Sequence, residues 1–69
     1  MTIRTAVIGL GIMGRRMAEN MVLHPDFTVT TMWDPDPAAC AAAQEVAPEA
    51  TVSATASEAM ADVDLVYLA

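Results

Sequence analysis

The sequence is poor in the residues that carry metal binding and acid–base chemistry. Its 69 residues include no lysine, one histidine and one cysteine. The single cysteine, Cys40, excludes an internal disulfide, and no cluster of histidine and cysteine predicts a metal site. The sequence also lacks a Ser/His/Asp set and a Cys/His pair, so we expect no catalytic residue within it.

Positive charge is scarce as well. The sequence has three arginines and nine acidic residues, and its formal net charge is −6. A protein that binds nucleic acid needs a basic surface against the phosphates, so we expect no nucleic-acid partner. The acidic residues are dispersed along the chain rather than gathered in a tail, which is typical of a solvated globular surface.

Long apolar runs are missing too. No run approaches the roughly 18 apolar residues of a membrane-spanning helix. The apolar stretch after Arg4 is interrupted by glycines and followed by Arg15 and Arg16, whereas a secretion signal ends in a small-residue cleavage site. We therefore expect a cytoplasmic protein without a membrane partner. The chain is short for a doubly wound domain, so we expect it to be the N-terminal part of a longer protein.

What the sequence does contain is a glycine pattern between an apolar run and a helix-forming stretch. Gly9, Gly11 and Gly14 have the spacing G-x-G-x-x-G. In a dinucleotide site the first glycine makes the turn, the second leaves room for a pyrophosphate, and the third lets helix and strand pack closely. The backbone N–H groups of Ile12 and Met13 would then contact the phosphates at the helix N-terminus. The alternative is a tight turn that binds nothing.

Apolar periodicity and turn residues predict alternating strands and helices. The predicted strands cover 3–8, 27–33, 50–53 and 63–69, and the predicted helices cover 12–23, 38–46 and 56–61. Such alternation favours the α/β class, with a Rossmann-type doubly wound parallel sheet and helices on both of its faces.

The periodicity also predicts which side chains share a face. On the first helix, Met13, Met17 and Met21 recur every four residues and should form an apolar stripe toward the sheet. On the second strand, strict alternation places four residues on one face: Phe27, Val29, Thr31 and Trp33.

Asp34 follows the second predicted strand, twenty positions after Gly14. A carboxylate at this place can accept hydrogen bonds from the adenosine ribose hydroxyls and would repel a 2′-phosphate, which favours NAD over NADP. NADP stays possible because Arg15 lies near the glycine turn. The alternative for Asp34 is a solvated turn residue beside Pro35.

Read together, these features resemble the N-terminal part of the Gfo/Idh/MocA oxidoreductases, the relatives of glucose–fructose oxidoreductase and inositol dehydrogenase. The matching segments are Thr5 to Gly11, His24 to Phe27, Asp34 to Pro37 and Val63 to Ala69. The resemblance implies NAD(P)-dependent oxidation of a sugar-like or cyclitol alcohol, with Ala69 beside the cofactor. It also implies a substrate domain beyond residue 69, through which the protein would form a homo-oligomer.

A second family remains open. The segment from Gly9 to Asn20 resembles equally the β-hydroxyacid dehydrogenases, such as 3-hydroxyisobutyrate dehydrogenase, and many Gfo/Idh/MocA members carry a histidine where Met17 stands. Both families imply hydride transfer with a nicotinamide cofactor. A third hypothesis is a nucleotide-binding module without redox chemistry, which would use the nucleotide as a signal or bind another adenosine ligand.

Overall fold

A computed structural model describes residues 2–69, and it contains a four-stranded parallel sheet of strand order β3-β2-β1-β4. The elements in chain order are β1 (Ile3–Ile8), α1 (Ile12–Leu23), β2 (Phe27–Trp33), α2 (Pro37–Val46), β3 (Thr51–Val52), α3 (Ala56–Met60) and β4 (Leu65–Leu68). This order confirms the predicted α/β, Rossmann-type fold. The third and fourth strands are shorter than predicted, although the N–H groups of Ser53, Asp64 and Ala69, just outside them, still donate to the neighbouring strands. Within the described residues, no helix has the length and apolar character needed to cross a membrane.

The main hydrophobic core lies between the sheet and the two helices α1 and α2. Its buried members are Val7, Leu10, Ala18, Met21, Val29, Met32, Ala43, Ala47 and Ala50. The third helix contacts β1 and β2, and its buried Ala59 lies outside this core. Helices therefore pack on both faces, as the alternating pattern predicts.

The methionine stripe of α1 is only partly as predicted. Met21 is buried and Met17 is half-buried, but Met13 is 66% exposed. The buried residues of α1 are Gly14, Ala18 and Met21. Met13 lies in the first turn, next to the edge of the sheet, so the prediction that it packs against the sheet is wrong.

The pairing of β1 with β2 contains an irregularity that the sequence pattern does not reveal. Thr5 lies opposite Val29, but the next residue, Ala6, lies opposite Thr31. Thr30 is thus an extra residue in β2, a β-bulge. Because side chains alternate along a strand, one extra residue reverses the faces of every residue beyond it.

The bulge decides which side chains of β2 enter the main core. Val29 and Met32 both pack there with α1 and α2. The Thr31 hydroxyl instead donates a hydrogen bond to the carbonyl of Ala59 in α3, at 2.6 Å. Trp33 is half-buried outside that core. The prediction that Thr31 and Trp33 share the face of Val29 is therefore wrong.

Side chains cap two of the three helices. Asp36 precedes α2, where Pro37 occupies the first position, and its Oδ1 accepts a hydrogen bond from the N–H of Ala38 at 3.0 Å. Thr55 precedes α3, and its hydroxyl accepts from the N–H of Glu58 at 3.1 Å. Both caps were expected from the sequence. The first helix differs, and its N-terminus belongs to the site described next.

Candidate functional site

The carboxyl ends of β2, β1 and β4 meet at the glycine turn. The N–H of Gly9 donates to the carbonyl of Trp33 at 2.8 Å, and the N–H of Ala69 donates to the carbonyl of Ile8 at 2.9 Å. The turn after β1 is therefore joined to the end of β2 on one side and to the residue after β4 on the other. This edge is where open parallel sheets bind their ligands.

Two of the three glycines are required by the fold itself. Gly9 has φ +93°, a left-handed conformation that side chains disfavour, and a Cβ there would lie 3.1 Å from the carbonyl oxygen of Ala69. At Gly14, a Cβ would overlap the carbonyl group of Gly9, lying 2.8 Å from its carbon and closer still to its oxygen. Gly9 and Gly14 thus let strand, helix and Ala69 approach one another.

The middle glycine, Gly11, is not required by its backbone conformation or by its neighbours. Its φ is −67°, a value that any residue adopts. A Cβ built there meets no atom within 4 Å among residues 2–69. Glycine is a favoured N-cap residue, but neither the backbone conformation nor the packing of residues 2–69 requires it here, whereas a ligand that approaches the backbone closely does.

Gly11 also begins α1 and leaves its N-terminus without a cap. Among residues 2–69, no side chain accepts a hydrogen bond from this end of the helix in the way that Asp36 and Thr55 cap the other helices. The first N–H groups of a helix lack partners within the helix, and the helix dipole makes that end positive. The side chains of Ile12 and Met13 are 67% and 66% exposed. This end of the helix is therefore accessible and has the donors that bind phosphate groups.

Asp34 lies beside the glycine turn, as predicted, and its carboxylate is held by two backbone N–H groups. Its Oδ2 accepts from Leu10 at 2.7 Å, and its Oδ1 accepts from Asp36 at 2.8 Å. These two hydrogen bonds, with that from Leu10 the stronger cause, lower the pKa of Asp34 below its ordinary value. The group is therefore a fixed anion at neutral pH.

Two contacts of Asp34 were missed by sequence reasoning. No sequence pattern points to Leu10, yet its side chain is fully buried and its N–H donates to the carboxylate. The thiol of Cys40 donates a hydrogen bond of 3.4 Å to the carbonyl of Asp34. Neither contact leaves a signal in the sequence, since one involves a backbone donor and the other depends on how α2 packs.

The structure thus brings together all seven predicted site residues at one edge of the sheet: Gly9, Gly11, Ile12, Met13, Gly14, Asp34 and Ala69. Among residues 2–69 it combines helix N-terminal donors that no side chain caps, open space at a glycine and a carboxylate nearby. Among the described residues no group of three or more histidine, cysteine or acidic side chains could hold a metal ion.

Comparison with solved structures finds the same fold at the start of two inositol dehydrogenases. One is myo-inositol dehydrogenase from Lactobacillus casei, solved in complex with NAD(H) and myo-inositol, with a TM-score of 0.86 and 26% identity over 100% of this chain. The other is myo-inositol 2-dehydrogenase from Lactobacillus plantarum, with a TM-score of 0.83 and 20% identity over 99% of this chain. This chain spans only 22% and 21% of those two proteins.

Comparison by sequence points to a further dehydrogenase. No individual curated protein matches the chain. A family model does match, over residues 4–69, and its description is the NAD binding domain of 6-phosphogluconate dehydrogenase. The match includes the glycine turn, Asp34 and Ala69. The chain therefore belongs to this family, the NAD binding domain of 6-phosphogluconate dehydrogenase.

Proposed function

We propose that the full-length protein is an NAD-dependent oxidoreductase and that this chain binds the adenosine and pyrophosphate portion of the cofactor. The observation that carries the proposal is Gly11. It leaves open space at a helix N-terminus that has no side-chain cap, and among residues 2–69 no contact and no backbone angle requires its lack of a side chain. The family match over residues 4–69 supports the same conclusion.

The residues of the site fit this cofactor by the chemistry of their donors and acceptors. The N–H groups of Ile12 and Met13 would donate to the pyrophosphate beside Gly11. The carboxylate of Asp34 would accept from the ribose hydroxyls, and Ala69 would lie on the nicotinamide side. When bound, NAD accepts or donates the hydride, and these residues bind and orient it.

For the substrate we propose a sugar-like or cyclitol alcohol. The structure of the Lactobacillus casei relative holds myo-inositol together with NAD(H), which supports this class. The alternative is a β-hydroxyacid, which is supported by the likeness of the segment from Gly9 to Asn20 to that family and by a sequence match outside the inositol dehydrogenases. The substrate domain, the catalytic residues and the homo-oligomer contacts would lie beyond residue 69.

Calorimetry on the full-length protein tests the cofactor. We expect NAD to bind more tightly than NADP, because the Asp34 carboxylate repels a 2′-phosphate, and we expect Asp34→Ala to weaken NAD binding. Asp26→Ala is the matched control, since Asp26 is exposed and precedes β2 at its opposite end. If neither nucleotide binds at about millimolar concentration, the upper end of the usual range of KM values, the cofactor assignment is wrong.

Turnover then tests the substrate class. Formation of NADH is followed by absorbance with a panel of cyclitols and sugars and a panel of 3-hydroxy acids. Turnover of the first panel alone supports the proposal, and turnover of the second alone favours a β-hydroxyacid dehydrogenase. Tight NAD binding without turnover of either panel would favour the non-catalytic nucleotide-binding module.

A further inference from the structure

The Asp34 carboxylate connects two loops before any nucleotide is considered. Its Oδ2 accepts a hydrogen bond from the N–H of Leu10 in the glycine turn, and its Oδ1 accepts one from the N–H of Asp36 before α2. An ionised carboxylate has about four lone-pair directions, so two acceptor positions remain after these bonds. A residue that served the ribose alone would need neither contact.

Leu10, the hydrogen-bond partner of Asp34 in the glycine turn, is held by both its side chain and its backbone. The Leu10 side chain is 0% exposed and belongs to the main core, while the Leu10 N–H is held by Asp34. The residues on either side of Leu10 are the left-handed Gly9 and the open Gly11. Because these glycines restrict the backbone least, the conformation of the turn depends on its anchors.

We propose that Asp34 is also a positioning residue for the phosphate-binding turn, through the hydrogen bond that its Oδ2 accepts from Leu10. The bond fixes the peptide between Gly9 and Leu10, so that the backbone at Gly11 and the first N–H groups of α1 face the pyrophosphate. This proposal rests on the proposed function, and it adds a role that is independent of the ribose hydroxyls.

A nucleotide without those hydroxyls separates the two roles. The probe is an NAD analogue whose adenosine ribose lacks both its 2′ and 3′ hydroxyls. It cannot donate a hydrogen bond to Asp34, so no effect of Asp34→Ala on its affinity comes from a lost ribose contact. Removal of the negative charge by itself would strengthen binding of an anionic pyrophosphate. A loss of affinity for the probe therefore cannot come from charge.

Calorimetry on the full-length protein compares NAD with this analogue in wild type, Asp34→Ala and the control Asp26→Ala. We expect Asp34→Ala to weaken binding of the analogue by roughly tenfold, the loss typical of one charge-assisted hydrogen bond. We expect a larger loss for NAD, which also loses its ribose contact. If wild type and Asp34→Ala bind the analogue equally, the positioning role is wrong.

A second measurement needs no nucleotide. In the free protein, NMR hydrogen exchange of the Leu10 amide should be at least tenfold faster in Asp34→Ala than in wild type, and unchanged in Asp26→Ala. The Leu10 amide shift should also follow the titration of Asp34. Equal exchange in all three proteins would overturn the positioning role. Failure of wild type to bind NAD would overturn the proposed function and leave this amide test decisive for the hydrogen bond.

Discussion

Gly14→Ala offers the sharpest test of how strand, turn and helix fit together. On an ordinary helix the change from glycine to alanine stabilises by about 1 kcal/mol. Here the new Cβ would lie 2.8 Å from the carbonyl carbon of Gly9, whereas carbon atoms pack at about 3.5–4.0 Å. The obstacle is backbone and cannot rotate away. Helix propensity and packing therefore act in opposite directions, and their sum has a definite sign.

The magnitude follows from these two terms. Overpacking in a well-packed site costs about 1–3 kcal/mol. The upper end applies, because α1 must move away from β1 as a rigid body, and it also carries the buried residues Ala18 and Met21. Subtracting the gain of about 1 kcal/mol in helix propensity leaves a net loss of roughly 2 kcal/mol in the free energy of unfolding.

Urea denaturation followed by circular dichroism measures the loss, and peptide-level hydrogen exchange shows whether it is located in β1 and α1. Gly11→Ala is the matched control, since its Cβ enters open space and its cost is limited to replacing a favourable N-cap residue, about 1 kcal/mol or less. If Gly14→Ala is as stable as wild type or more stable, the close approach of Gly14 to Gly9 has no energetic importance and the reasoning fails.

Three further outcomes are expected. Gly11→Ala should keep the fold, at a cost of about 1 kcal/mol or less at the N-cap, but bind NAD at least roughly tenfold more weakly by calorimetry, because the methyl group occupies the space of the pyrophosphate. The hydrogen bonds that lower the pKa of Asp34 and of Asp64, from the N–H of Leu10 and from Arg4 respectively, stabilise the fold above the unfolded pKa. Stability should thus fall as pH drops below about 4, less steeply in Asp34→Asn, as measured by acid titration of circular dichroism. Thr55→Ala should lower the free energy of unfolding by about 1 kcal/mol in urea denaturation, because α3 loses its cap.

The order and approximate limits of the elements could be predicted because several local signals agree. Apolar periodicity changes between strand and helix, and proline or a capping residue marks most of the boundaries. The apolar stripe of α1 was harder to predict, because its spacing of four residues includes Met13, which lies in the first turn of the helix. At that position Met13 lies at the edge of the sheet and remains 66% exposed.

The site was predictable where it depends on topology. Carboxyl ends of adjacent parallel strands meet at one edge, so the glycine turn and Asp34 had to be neighbours. The contact between them was not predictable, because its donor is the backbone of Leu10. A backbone N–H is present at every residue except proline, so the sequence does not show which one a carboxylate will reach.

The bulge at Thr30 links the wrong prediction for β2 to the position of Asp34 beside the glycine turn. If the sequence pattern had held, Thr31 and Trp33 would enter the core with α1, and the alternation would turn Asp34 toward α3. The extra residue puts Met32 into that core instead, and Asp34, two positions on, continues on the same face as Met32. It also draws Asp34 back by one residue, about 3.3 Å, relative to the glycine turn. The bulge at Thr30, four residues before Asp34, interrupts the alternation of β2 and thereby places the carboxylate within hydrogen-bond distance of the Leu10 N–H.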